Sequence, residues 1–404
     1  MQEKLTNFVQ KCYYNSKKFL KKGGGKMKIS IPSGISALLE RLEGAGYEAY
    51  LVGGCVRDTY MGIAPQDYDI TTSALPEQTK EVFRDERVIE TGLTHGTLTV
   101  LTDCGPVEIT TYRQDGDYSD HRHPDAVYFT RSLEKDLARR DFTINAMAMD
   151  RQQNLVDLFG GRADIDAKLL RCVGEAERRF EEDALRIMRA MRFAARLGFA
   201  LEEQTKAAME SKKDLLKAVA AERIFAELCG LLKGEYAADV LLQHHQVVQV
   251  ILPEFQGEVR RLAQLPPDPA MRLAVLLKKE TAAEILAKLK VPNAFKRTVL
   301  MLLENQDVPH PKTERELHRL GIELGVENLQ TLYAWRGWDL AFLNEFLVKN
   351  PCLCIRDLAL DGKDLMSLGF NGSAIGEAQK YLLEQVAKGL PNEKEKLMNA
   401  IKNR

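Results

Sequence analysis

The stretch Ala49-Tyr50-Leu51-Val52-Gly53-Gly54-Cys55-Val56-Arg57-Asp58, followed by Asp67-Tyr68-Asp69-Ile70, decides the fold. A short apolar run of β character meets a glycine pair, which ends a strand and lets backbone amides approach a ligand without a β-carbon in the way. Asp67 and Asp69 stand two apart in a segment ready to form the next strand, where alternate side chains share a face. Two carboxylates so placed are hard oxygen ligands of the kind Mg2+ takes together with substrate phosphates, and a two-metal site of this kind serves nucleotidyl transfer. Glu108, in Val107-Glu108-Ile109-Thr110-Thr111, is the candidate third acid from a neighbouring strand. Gly53 and Gly54 then suit a triphosphate, and Arg57 follows as an anion-pairing guanidinium.

Outward from this stretch, Ile35, Leu38, Leu39 and Leu42 have helical spacing after Pro32, and Gly44 and Gly46 end the helix. Strands are expected at 49–52, 68–71, 97–101, 107–112 and 127–129, so the first third reads as α+β. Beyond about Arg171 strand signals vanish. Helical pattern continues to the C-terminus, punctuated by prolines at Pro253, Pro266, Pro267, Pro269, Pro292, Pro309, Pro311 and Pro351. The expected division is an extension over 1–26, a head over 27–170, and helical segments over 171–230, 231–330 and 331–404.

Composition bounds the rest. The 404 residues are 45% apolar and 28% charged, as in a globular protein, and 57 basic against 58 acidic residues give a net charge of −1. Any nucleic-acid binding must therefore come from local basic surfaces. Seven scattered cysteines suit a reducing, cytoplasmic setting better than a disulfide framework. No run approaches the roughly 18 apolar residues of a membrane helix. The first 26 residues carry seven lysines against Glu3 and end in Gly23-Gly24-Gly25-Lys26 before Met27. That segment reads as a solvated leader or an upstream start, with a basic RNA-clasping arm as the alternative. The seven histidines have no metal-ligand spacing.

Plotted as a helix, residues 182–198 divide cleanly. Ala184, Ile187, Met188, Met191, Ala194 and Ala195 share about a third of the circumference, and Arg186, Arg189, Arg192 and Arg196 fill the opposite third. Four arginines with no interleaved acid repel one another unless something anionic lies against them, and a triphosphate or RNA backbone meets that need.

Taken in order, GGCVRD, DYDI, RRDFTINAMAMD and EEDALRIMRAMRFAARLGF resemble class II tRNA nucleotidyltransferases and bacterial poly(A) polymerases, over most of the chain from Met27. The resemblance implies a polymerase-beta-like head with a mixed or antiparallel sheet, then helical neck, body and tail. It implies that Asp67 and Asp69 bind Mg2+ and that Gly54 and Arg57 contact the incoming nucleotide. Arg140 and Asp141, within Arg139-Arg140-Asp141, would bind ribose and phosphates. Asp183 and Arg186 would read the base, with Arg189 and Arg192 lining the nucleotide site. CTP and ATP are the implied substrates and tRNA, at its 3′ end and upper half, the implied partner. No obligatory protein partner is implied.

The turn-rich stretch 115–124 holds Asp120 and Arg122, which match the family's flexible loop that accompanies addition of the terminal adenosine. Leu360-Asp361-Gly362-Lys363-Asp364-Leu365 resembles the family's tRNA-gripping tail, although Asn371-Gly372-Ser373 stands where many relatives have Pro-Gly-Pro. Glu222-Arg223-Ile224-Phe225-Ala226-Glu227 resembles a segment that buttresses the nucleotide site, and a plain amphipathic helix explains it equally well. The expected activity is CCA addition or repair. Poly(A) synthesis or addition of the last adenosine alone is the alternative within the class, and a nonenzymatic RNA-binding relative the alternative outside it.

Overall fold

The computed structural model describes residues 31–103, 105–116, 126–253, 255, 258–349 and 352–403. The chain divides into two units, the first holding residues up to Asp115 and Val127–Ile165, the second holding Asp166 onward.

In the first unit, α1 (Ser33–Gly44) buries Ile35, Leu38, Leu39 and Leu42, the four residues whose spacing predicted it. Next come β1 (Ala49–Val52), α2 (Gly54–Tyr60), β2 (Asp69–Thr72), α3 (Pro76–Val82), β3 (Val88–Gly92), β4 (Thr97–Thr102) and β5 (Gly105–Thr111). The unit continues with β6 (Arg113–Asp115), β7 (Val127–Phe129), α4 (Leu133–Ala138), β8 (Met147–Met149), β9 (Leu155–Asp157) and α5 (Gly161–Asp166). Seven strands form one sheet in the order β3-β4-β5-β2-β1-β8-β9, while β6 and β7 pair separately. The sheet is mixed. β2 and β5 run parallel and the other neighbours are antiparallel. The β2–β5 register sets Asp69 beside Glu108, and β1 sets Val52 beside Asp69.

Strands β3, β6, β8 and β9 were not expected from the sequence. Met147-Ala148-Met149 is buried at every position, so it lacks the alternation that marks a half-exposed strand.

In the second unit, β10 (Leu169–Leu170) pairs in parallel with β11 (Ala200–Leu201). These two-residue strands are the only β structure among its described residues, and they are too short for periodicity to mark. Helices α6 (Ala176–Glu182), α7 (Leu185–Leu197), α8 (Glu203–Lys212) and α9 (Ala221–Leu232) are followed by further helices to Lys394–Lys402. Prolines mark helix starts as expected. Asp268 caps Pro269–Leu276 by accepting from the Met271 N–H at 2.9 Å, and Pro292 precedes Asn293–Glu304. A separate core near the C-terminus gathers Leu360, Leu365, Ala378, Leu382, Leu397 and Ile401. No helix among the described residues is long and apolar enough to cross a membrane.

Candidate active site

Gly53 joins β1 to α2 with φ of 79°, a left-handed conformation that glycine adopts without strain. A β-carbon there would stand 3.5 Å from Arg140 Nη1 and 4.0 Å from Asp69 Oδ2. The glycine loop, Arg140 and the first residue of β2 therefore meet in one small volume.

Asp69 is the electrostatic centre of that volume. Its carboxyl reaches solvent at the strand end yet is ringed by protein atoms, and this burial, followed by the charges of Glu108 and Asp67, pushes it up to about 6. Arg140 pulls in the opposite direction and does not win. Asp67 departs from the expectation in one respect. It lies in a bend two residues before β2, so the pair is gathered by the approach to the strand rather than by a shared strand face. Among the described residues no group of three or more His, Cys, Asp or Glu is set closely enough to hold a metal ion by itself. Magnesium needs only one or two carboxylates when phosphates supply further oxygens. The like-charged set at Asp67, Asp69 and Glu108 has that donor chemistry and an excess of negative charge.

Arg57, expected as an anion-pairing guanidinium in contact with the nucleotide, pairs with the protein itself. It is 2% exposed and binds inward, through Nε to Asp58 at 2.8 Å and through Nη1 to Asn145 Oδ1 at 2.7 Å. Asn145 Nδ2 donates in turn to Asp141 Oδ1 at 3.2 Å, which also accepts from the Phe142 N–H at 2.8 Å. Arg57 and Asp141 thus brace the glycine loop against the Arg139-Arg140-Asp141 segment, and Asp141 is likewise buried. Gly54 sits over Arg57, where a β-carbon would stand 3.6 Å from Nη2.

In the second unit the helix expected over 182–198 is broken. α6 ends at Glu182, Asp183 is extended, and α7 begins at Leu185. Asp183 Oδ1 accepts from the Leu185 N–H at 3.1 Å, and Oδ2 accepts from Arg223 Nη2 at 3.2 Å. Arg186, 8% exposed, donates through Nη1 to Glu182 Oε2 at 2.8 Å and to the Arg179 carbonyl at 3.0 Å. Arg192 donates to Glu227 Oε2 at 2.5 Å, Arg189 stands 3.8 Å from Glu227 Oε1, and both guanidiniums lie over the Phe193 ring.

α7 itself carries no acid, as its sequence shows, but acids reach its arginines from other helices. Glu182 on α6 pairs with Arg186, and also with Arg178 and Arg179, while Glu227 on α9 pairs with Arg189 and Arg192, so the arginine charge is offset in part from neighbouring helices and stays in excess. Arg223 and Glu227, four apart on α9 within the segment whose resemblance to a buttress of the nucleotide site was noted beside a plain amphipathic helix, touch Asp183 and Arg192 respectively. Asp136 and Asn145 in the head are the site residues that sequence reasoning passed over.

Asp120 and Arg122 lie outside the described residues. In the C-terminal motif, Asp361 caps Gly362–Ser367, accepting from the Lys363 and Asp364 N–H groups at 2.8 and 2.9 Å. That gives the acidic residue of this motif a structural task.

Residues 49–171 match the model of the Poly A polymerase head domain, 198–258 a model named for an RNA- and SrmB-binding site of polymerase A, and 270–401 that of tRNA nucleotidyltransferase domain 2. The CCA-adding enzyme of Geobacillus kaustophilus is 36% identical over 386 residues, spanning 89% of this chain and 94% of that one. The CCA-adding enzyme of Geobacillus stearothermophilus is 37% identical over 382 residues, with 89% and 94% covered. The crystal structure of the Bacillus stearothermophilus CCA-adding enzyme in complex with CTP aligns with a TM-score of 0.74 at 33% identity, over 92% of this chain and 98% of that one. With the mixed-sheet head, the helical remainder and these matches along nearly its whole length, the chain belongs to the CCA-adding enzyme family of tRNA nucleotidyltransferases.

Proposed function

We propose that this protein completes or repairs the 3′ end of tRNA, adding CCA from CTP and ATP. The observation that carries the reading is the Asp69 carboxylate beside Gly53 and Arg140, with the charges of Glu108 and Asp67 acting on it, in a chain of this family. In each cycle the 3′ oxygen of the tRNA attacks the α-phosphorus of the nucleotide. One O–P bond forms, the bond from the α-phosphorus to the bridging oxygen breaks, and pyrophosphate leaves.

Asp67 and Asp69 would hold Mg2+, with Glu108 as the third acid of the set; the bound ion supplies charge stabilisation at the reacting phosphate. Gly54 gives the triphosphate close access to backbone, and Arg140 meets its charge. Arg57 and Asp141 hold the loop and the arginine segment in register. Arg189 and Arg192, anchored on Glu227, give α7 cationic groups suited to a nucleotide's charge.

Base choice rests on Asp183 and Arg186. Cytosine and adenine both present an exocyclic amino donor beside a ring-nitrogen acceptor, which suits a carboxylate next to a guanidinium. Uracil and guanine reverse that order. A carboxylate has about four lone-pair sites, so Asp183 retains acceptor capacity beyond the Leu185 N–H and Arg223. These two partners fix the plane in which that capacity is offered. Order between C and A then comes from primer or loop geometry, for which Asp120 and Arg122 are the sequence candidates. The helices beyond residue 171 serve as neck, body and tail for the upper half of tRNA. The five described cysteines are all free, which favours the cytoplasm.

The deciding experiment supplies purified protein with tRNA trimmed of its CCA end, CTP and ATP. Extension by CCA followed by a stop is expected. A long adenosine tail identifies a poly(A) polymerase, and a single adenosine added only to a CC end identifies the A-adding enzyme; either overturns the proposal.

A further inference from the structure

Asp136 lies on α4, four residues before Arg140, and is wholly buried. Five donors saturate it. Oδ1 accepts from Arg139 Nε at 3.0 Å, pairs with Arg139 Nη2 at 2.9 Å, and accepts from the Arg113 backbone N–H at 3.3 Å. Oδ2 accepts from Thr71 Oγ1 and from Arg140 Nη2, both at 3.1 Å. Burial works against the ionised carboxyl, but Arg140 and Arg139 outweigh it and hold the group below the usual carboxylate range. The charge therefore persists inside the protein, tied through Thr71 to β2, the strand that begins with Asp69.

A buried carboxylate could be no more than a structural tie. The attitude of Arg140 points further. Its guanidinium is gripped by Asp136 at Nη2, its Nη1 would stand 3.5 Å from a β-carbon at Gly53, a point also 4.0 Å from Asp69 Oδ2, and its Nε is buried with no hydrogen-bond partner among the described residues. A buried N–H left unpaired is costly, so an arginine held in this attitude is built to receive an anion. A guanidinium fork matches phosphate oxygens when its plane is fixed beforehand.

We propose that Asp136 is a positioning residue for the nucleotide: it aims the Arg140 guanidinium across the Gly53 turn at the triphosphate. This deepens the proposed function and rests on that reading of the site. Asp136 touches no substrate, and its effect passes wholly through Arg140.

The test is a double-mutant cycle on the full chain, reading CTP binding by calorimetry, tRNA binding by filter retention, and the KM and kcat of CTP incorporation. Asp136→Asn keeps the shape and removes the charge. It should weaken CTP binding by about ten-fold or more, the scale of a charge-assisted hydrogen bond, and raise the KM for CTP while tRNA affinity holds. In an Arg140→Ala background the same change should cost about two-fold or less, because its route of action is gone. CTP affinity equal to the parent's in folded Asp136→Asn, or an equal loss in both backgrounds, overturns the inference. If Asp136→Asn does not fold, Thr71→Val loosens the same carboxylate from β2. It should weaken CTP binding about three-fold and lose that effect without Arg140; unchanged affinity overturns the inference by this route. Failure of the underlying reading has a different signature, since Arg140→Ala alone would then bind and incorporate CTP as the parent does.

Discussion

At the scale of single residues, the carboxyl of Asp69 decides how the head behaves without and with a divalent cation. Its value in the folded protein, about 6, lies above its ordinary 3.8, so the folded state holds this proton more tightly than the unfolded chain does. The associated stability is complete below about pH 4, falls as pH rises towards about 6, and is gone above that. A cation bound to the ionised set reverses the penalty. Magnesium should therefore raise the melting temperature more at pH 8 than at pH 5, and an equal shift at both pH values would count against the carboxylate set as its binding place. Asp67→Ala and Asp69→Ala should each keep tRNA binding near that of the parent and lose almost all nucleotide incorporation. Near-normal incorporation by either variant with magnesium present removes the metal role. Asp183→Ala and Arg186→Ala should admit UTP and GTP more than they scramble the order of C and A. Active variants that still reject both wrong nucleotides as the parent does would defeat the protein-template idea. In the parent, a polar site that matches one base edge can reject the reversed edge by up to about 10⁴-fold, because the mismatch leaves buried polar groups unpaired.

At the scale of elements, α7 shows what a sequence makes legible. The apolar spacing placed its core face correctly, since Ile187, Met188, Met191, Ala194 and Ala195 are buried. The acids that pair with its arginines could not be read from the helix alone, because Glu227 reaches Arg192 from 35 positions away. The head divides in the same way. Asp69 was read as one of an i, i+2 pair with Asp67 and Glu108 as an acid on a neighbouring strand, but Asp136 announced nothing: one acid on a short helix becomes a hub only when Thr71, 65 positions earlier, is folded against it. Strands β3 and β9 escaped notice because they are the two edges of the sheet and none of their described side chains is fully buried, so no inside–outside alternation marks them. α7 ends at Gly198, where φ is 69° and a β-carbon would come 2.7 Å from the Tyr236 ring. Gly198→Ala should destabilise the protein by about 1–2 kcal/mol, the cost of a left-handed alanine with some relief from swinging the half-exposed ring. A denaturant midpoint no lower than the parent's contradicts this account of the helix end.

At the scale of the whole molecule, a net charge of −1 means that tRNA must be held by patches rather than by a general attraction. Raising salt from about 50 to 200 mM should weaken tRNA binding by roughly one to two orders of magnitude, as expected for a few released counterions. CTP binding, centred on Arg140 and a few fixed donors, should fall much less. Equal salt sensitivity for both ligands contradicts the separation of a phosphate-tracking arm from a nucleotide pocket. The order of the matches along the chain, head then RNA-binding segment then C-terminal domain, fits that division of labour.

The sheet order sets a timetable for synthesis. β1 lies between β2, which follows it closely, and β8, whose Ala148 pairs with Val52 across 96 positions. As the chain leaves the ribosome, β1 can zip to β2 almost at once. Its other edge must wait for the whole span between, roughly 5 to 20 seconds at ordinary translation speeds. During that interval an apolar strand edge stands open to chaperones, proteases and other nascent chains. Slow codons between the two strands would lengthen the exposure, and a stalled chain ending before residue 147 would hold the aspartate pair while lacking the strands that close the sheet behind it.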